Sequence, residues 1–165
     1  MSTQVSVEAV EVQAFIHFVR AHASVVRGLD RELVADHGLT ISEYEVLLLL
    51  SRAPERSLRG VDLAREVRLS PSGITRLVDR LAKAGLIGKR ACETDARARY
   101  AVLTDAGLEK LEQAAPQHLE TVERLLADRL DEDELATLND LLGRLSTEKN
   151  LDCATDAAPP ASDAS

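Results

Sequence analysis

Apolar side chains return at three- and four-residue steps along most of this chain, the spacing that lines one face of an α-helix. Phe15, Val19, His22, Val26, Leu29 and Leu33 form the first such stripe and predict a helix from about Ser6 to His37. Gly38 follows, where a helix commonly ends on a left-handed residue. A second helix starts at Thr40 or Ser42, both good N-caps, and Glu45 stands three residues after Ser42 as a capping box requires. It runs to about Arg52. Its second half is almost wholly apolar, which predicts burial, and Ala53-Pro54-Glu55 breaks it.

A shorter helix from Leu58 to Val67 carries Val61, Leu63, Ala64 and Val67 as its apolar positions, and Arg68-Leu69-Ser70 makes a tight turn. Ser70 is a good N-cap and Pro71 suits the first helical position. From there to Ala84 the inner stripe is Ile74, Leu77, Val78 and Leu81, and the opposite face holds Ser72, Thr75, Arg76, Asp79, Arg80 and Lys83. Gly85 stops this helix. Leu86 to Ala91 and Arg99 to Leu103 read as two strands of a hairpin, with the polar stretch Cys92 to Ala98 at its tip. Thr104 caps a long helix with the stripe Leu108, Leu111, Ala115, Leu119, Val122 and Leu125, which Pro116 is expected to kink or split. Asp131 and Glu134 open a last helix, with Leu135, Leu138, Leu142 and Leu145 on one side. From Ser146 onward Thr, Asp, Ala, Pro and Ser show no periodicity and predict a disordered tail.

Helix, tight turn, helix, then a hairpin with a basic tip is the order of a winged helix-turn-helix, which places one helix in a DNA groove. The fold expected is mainly α with a small β-hairpin wing. Residues 39–103 form the DNA-binding lobe, 6–38 and 104–146 a helical dimerisation region, and 147–165 the tail. The end segments carry apolar stripes too extensive for a small lobe to cover, so a second copy is expected to bury them.

Charge supports the lobe. The 165-residue chain has 20 Lys and Arg against 28 Asp and Glu, a net −8. Between Arg56 and Tyr100, however, 11 basic residues face five acidic ones, a local +6, which leaves −14 for the remainder. Binding to a polyanion follows the local field more than the sum. Ser72, Thr75 and Arg76 sit near the start of the second motif helix, where side chains reach base edges. Arg76 can bond both acceptors of guanine, for roughly 1–3 kcal/mol of discrimination. Ser70 at the cap, with free amides beside it, suits a phosphate oxygen. Arg80 and Lys83 lie further along, toward the DNA backbone. In the wing, Arg97 between two alanines has room to enter a minor groove. Asp95 is placed to orient Arg97 or Arg90, and Arg99 adds charge at the wing base.

The motifs resemble the MarR family of bacterial transcriptional regulators. The residues that carry the likeness are Leu63-Ala64, the run from Ser70 to Leu81, Gly85-Leu86-Ile87, Asp95-Ala96-Arg97 and Leu103-Thr104-Asp105-Ala106-Gly107, spread over about residues 8 to 146. The resemblance implies a homodimer in which the first helix and the last two helices of each chain interlock. It implies two lobes reading a pseudo-palindrome in double-stranded DNA, and a repressor released by a small phenolic or anionic effector. It makes Arg76 a groove reader and Arg97 the minor-groove arginine.

An effector crevice in such proteins lies between the helical region and the lobe. His17, Arg20, His22 and Tyr44 are the candidates, each with an ordinary packing or salt-bridge role as the alternative. Cys92 near the wing offers a redox-responsive alternative, and Cys153 lies in the tail. A winged helix used only for protein contacts is the other. No Ser/His/Asp order, Gly-rich phosphate loop or metal spacing is present, so neither enzyme nor cofactor is expected. His17 and His22 stand about 140° apart on a helix and do not make a paired metal site. No apolar run reaches the roughly 18 residues of a membrane span, and no signal-peptide order opens the chain, so a cytoplasmic protein is expected.

Overall fold

The computed structural model describes residues 9–91 and 99–145. Its described elements are α1 (Val10–His37), α2 (Ile41–Arg52), a 3₁₀ turn (Pro54–Arg56), β1 (Ser57–Arg59), α3 (Gly60–Glu66), α4 (Pro71–Lys83), β2 (Ile87–Ala91), β3 (Arg99–Leu103), α5 (Asp105–Ala127) and α6 (Glu132–Leu145). They fall into two units, one ending at Leu125 and the other beginning at Leu126.

In the first unit a single core joins α2, α3, α4 and the sheet. Val46, Leu47, Leu50, Leu63 and Leu81 are its most deeply buried large side chains, with Ile74, Leu77, Ile87, Leu103 and Leu111 around them. Each such side chain removed from water contributes roughly 1.5–3 kcal/mol. The strands order β1-β3-β2, antiparallel throughout, with Leu58 opposite Ala101 and Ile87 opposite Leu103. Ala101 and Leu103 alternate toward the core, as period-two strands require.

Several local expectations change. The capping box of α2 is Thr40 with Glu43, not Ser42 with Glu45: Thr40 Oγ1 accepts from the Glu43 amide, and the Glu43 carboxylate accepts from the Thr40 amide. The helix begins one residue after Thr40, so the reciprocal geometry falls on residue 43. The first motif helix does not start at Leu58. Ser57–Arg59 is instead a third strand on the edge of β3, and α3 begins at Gly60. Val61 therefore points outward, 68% exposed, rather than into the core. Pro116 does not split α5, which is continuous from Asp105 to Ala127. On that helix Leu111, Ala114 and Thr121 are buried while Leu119 is exposed, so the inner face is smaller and more polar than the leucine spacing suggested.

Polar contacts explain that inner face. Thr121 donates to Glu32 at 2.8 Å, and Arg124 donates to both oxygens of the same carboxylate at 2.6 and 2.8 Å. The Arg124 guanidinium first, and Thr121 second, hold the Glu32 carboxyl below its ordinary range. Gln117 bridges His37 and Asp36, so α5 is tied along the C-terminal half of α1. That half buries Gly28, Leu29 and Leu33. The other half leaves Val10, Phe15, Phe18 and Val19 exposed.

The described part of the second unit is the end of α5 and α6. Asp131 and Glu134 form the reciprocal box expected of them, at 2.9 and 3.0 Å. No residue of α6 is buried, and Leu141, Leu142 and Leu145 are exposed.

Candidate nucleic-acid interface

Helix α4 is built to stand out from the lobe. Ser70 Oγ accepts from the Gly73 amide at 3.1 Å, and Pro71 occupies the first turn, where its missing N–H costs nothing. The turn before it bends at Arg68, whose φ of 55° is left-handed. Ile74, Leu77 and Leu81 then bury one side. Thr75, Asp79, Ser72, Lys83, Arg76 and Arg80 are all exposed and sweep through about 140° of the opposite side at 100° per residue. Hollows flank this ridge. One, of about 540 Å³, is lined by Thr40, Ser42, Ser70, Ser72, Arg76 and Arg80 among others. The other, about 740 Å³, lies among Thr75, Asp79, Val61, Lys89, Arg99 and Tyr100 and their neighbours. A helix raised between hollows suits insertion into a groove.

The charges on the ridge are not equivalent. Asp79 pairs with Lys89 of β2, and Arg80 Nε donates to the buried Glu43 at 2.5 Å. Arg76 and Lys83 have no acidic partner within 4.0 Å among the described residues. Ser72 shares a 3.2 Å hydrogen bond with Ser70, and the Thr75 hydroxyl donates to the Pro71 carbonyl at 2.8 Å. The Thr75 hydroxyl is thus a committed donor that keeps acceptor capacity, and the Ser72 hydroxyl is tied to Ser70.

At the wing base, Arg99 is exposed at the start of β3. Asp95, Arg97 and Cys92 lie outside the described residues, as does Cys153. Sequence reasoning missed a row across the sheet. Arg59 and Arg90 both pair in register with Tyr100 and place their guanidinium carbons 5.6 and 5.7 Å from its ring. Arg59 also donates to the Tyr100 hydroxyl at 2.9 Å. Arg90 also lies 3.6 Å from Glu55. The Arg59 side of the row is out of reach of the sequence, because the spacing places Arg59 on a helix.

The effector candidates do not share one surface. His17, Arg20 and His22 are exposed on the open half of α1, whereas Tyr44 is buried. Tyr44 instead packs on His118 of α5, with ring centroids 4.3 Å apart. His118 Nδ1 is buried without a hydrogen-bond partner among the described residues, and burial pushes the imidazole below its ordinary range, toward the neutral form. The sequence signal for His118 was its position, four residues after buried Ala114 and seven after Leu111.

The fold and ridge define a helix-turn-helix transcriptional regulator. A MarR family model matches residues 37–98. The HTH-type transcriptional repressor YetL of Bacillus subtilis (strain 168) is 31% identical over 119 residues, 70% of this chain and 71% of that protein. MhqR, an HTH-type transcriptional regulator of the same organism, is 27% identical over 134 residues, 81% of this chain and 90% of its own. Among solved structures, the MarR family regulator Sco3205 of Streptomyces coelicolor, in complex with DNA, superposes with a TM-score of 0.74 at 30% identity, covering 83% of this chain and 86% of that one. The chain belongs to the MarR family of transcriptional regulators, whose members are DNA-binding proteins rather than enzymes.

Proposed function

We propose that the protein is a homodimeric, sequence-specific repressor that reads a pseudo-palindromic operator and leaves it when a small anionic or phenolic effector binds. The observation that carries this reading is the α4 ridge, with Arg76 and Lys83 free of acidic partners among the described residues and Ser70 and Ser72 at the helix start. Arg76 is assigned to a base edge; Ser70, Ser72, Thr75, Arg80, Lys83 and Arg99 are assigned to positioning on the backbone; and Arg97, with Asp95, is assigned to the minor groove. The exposed apolar side chains of α1, and separately those of α6, support a second copy as their cover. Tyr44, His17, Arg20 and His22 are assigned to effector response, an assignment that rests on the family likeness.

A gel-shift on the DNA upstream of the protein's own gene, at 50 and 200 mM salt and with a panel of small aromatic acids, tests DNA binding, specificity and effector response together. Expected are a discrete complex, an affinity loss of about a thousandfold between the two salts, and release by at least one acid. Binding equal to that of random DNA contradicts the operator, and a complex untouched by every acid contradicts the effector class.

A further inference from the structure

We propose that Glu43 is a positioning residue for DNA reading: through Arg80 it fixes the plane of a guanidinium on α4 and leaves that group's terminal amino edge facing the duplex. The inference rests on the DNA reading assigned to α4.

Glu43 lies in the first turn of α2, and only 6% of its surface is exposed. One carboxylate oxygen, Oε2, accepts from both the Thr40 amide and the Thr40 hydroxyl at 2.8 Å. The other, Oε1, accepts from Arg80 Nε at 2.5 Å. The turn that carries Glu43 is itself immobilised, because the Ile41 amide donates to Asp30 of α1 at 2.9 Å. A box needs only Oε2, and glutamine serves it as well as glutamate. Oε1 is therefore committed to a different task, and among the described residues its partner is on the ridge. Arg80 stands one turn beyond Arg76, lines the same hollow, and is 61% exposed at its side chain. A guanidinium is planar, with five N–H groups in a rigid fork. Holding Nε against a fixed carboxylate sets the direction of the Nη edge, which suits a bidentate phosphate or guanine contact. A long side chain so restrained has less freedom left to lose on binding.

Two effects of Glu43→Gln oppose each other, and a pair of probes separates them. Loss of positioning weakens the preferred duplex alone, because a fixed Nη edge meets its phosphate only where α4 sits in register; loss of a negative charge strengthens every duplex equally. The probes are a duplex recovered by selection from a random library and a scrambled duplex of equal length. Glu43→Gln should lower the ratio of selected to scrambled affinity by about tenfold and should lower it no further in an Arg80→Ala background. Arg80→Lys, which leaves α2 intact, should lose the same ratio, because an ammonium keeps the charge without the fork. The thermal midpoint of Glu43→Gln should stay near that of the parent, since the box survives. An unchanged ratio, or a further fall in the Arg80→Ala background, overturns the proposal. A parent protein that prefers no duplex overturns the DNA reading beneath it.

Discussion

Individual side chains divide the ridge into committed and uncommitted groups. Arg76 is exposed and without an acidic partner among the described residues, so its fork is available to a base. Arg76→Ala should cost about 1–3 kcal/mol on the preferred duplex and relax discrimination at a single base position. Equal loss on every duplex would reduce Arg76 to a phosphate contact. His118 makes a different prediction. Burial lowers its pKa in the folded chain, so the unfolded chain takes up the proton first as pH falls. Its contribution to stability is complete above the ordinary histidine value of about 6.5 and is lost as pH drops toward the folded value. Urea titrations between pH 7.5 and 5 should therefore fall more steeply for the parent than for His118→Gln. Parallel curves would show that the imidazole is not titrating in a buried site.

Elements are joined where backbone approaches backbone. Thr104 caps α5 by accepting from the Gly107 amide at 3.0 Å, while its hydroxyl lies 2.8 and 2.9 Å from the Gly85 and Leu86 carbonyls. A Cβ on Gly107 would come within 2.0 Å of the Leu86 carbonyl oxygen. The glycine of the Leu-Thr-x-x-Gly run is thus there to let α5 start against the entry to the wing. Gly107→Ala should destabilise the fold by about 1–3 kcal/mol by urea unfolding, and an unchanged midpoint would contradict the close approach. Helix periodicity and caps made α4, Thr104 and the Asp131 box legible in the sequence, because their information is local. The three residues of β1 were not legible: a strand that short exists only because β3 offers it an edge. The Glu43 box was misplaced because Thr40 and Ser42 are equally good caps, and tertiary packing chose between them. At the interface, the residues of α4 were readable from one helix face, whereas the pairings of Arg80 with Glu43 and of Arg59 and Arg90 with Tyr100 join segments 37, 41 and 10 positions apart.

For the whole molecule, the apolar surface that the described chain leaves uncovered predicts assembly. Phe15 is 66% exposed on α1 and Leu145 is 74% exposed on α6, a costly presentation for a lone chain. Phe15→Asp should raise the dimer dissociation constant by at least about tenfold in sedimentation equilibrium, and an unshifted dimer would remove α1 from the interface. On the proposed function, two lobes held by such a dimer would read DNA at a spacing that the dimer sets. Selection of preferred duplexes from a random library, sequenced without bias toward any known site, examines that claim most directly. The expected product is an inverted repeat whose half-sites lie about 10–10.5 base pairs apart, centre to centre. A library that fails to enrich, or that yields a single asymmetric half-site, would contradict it.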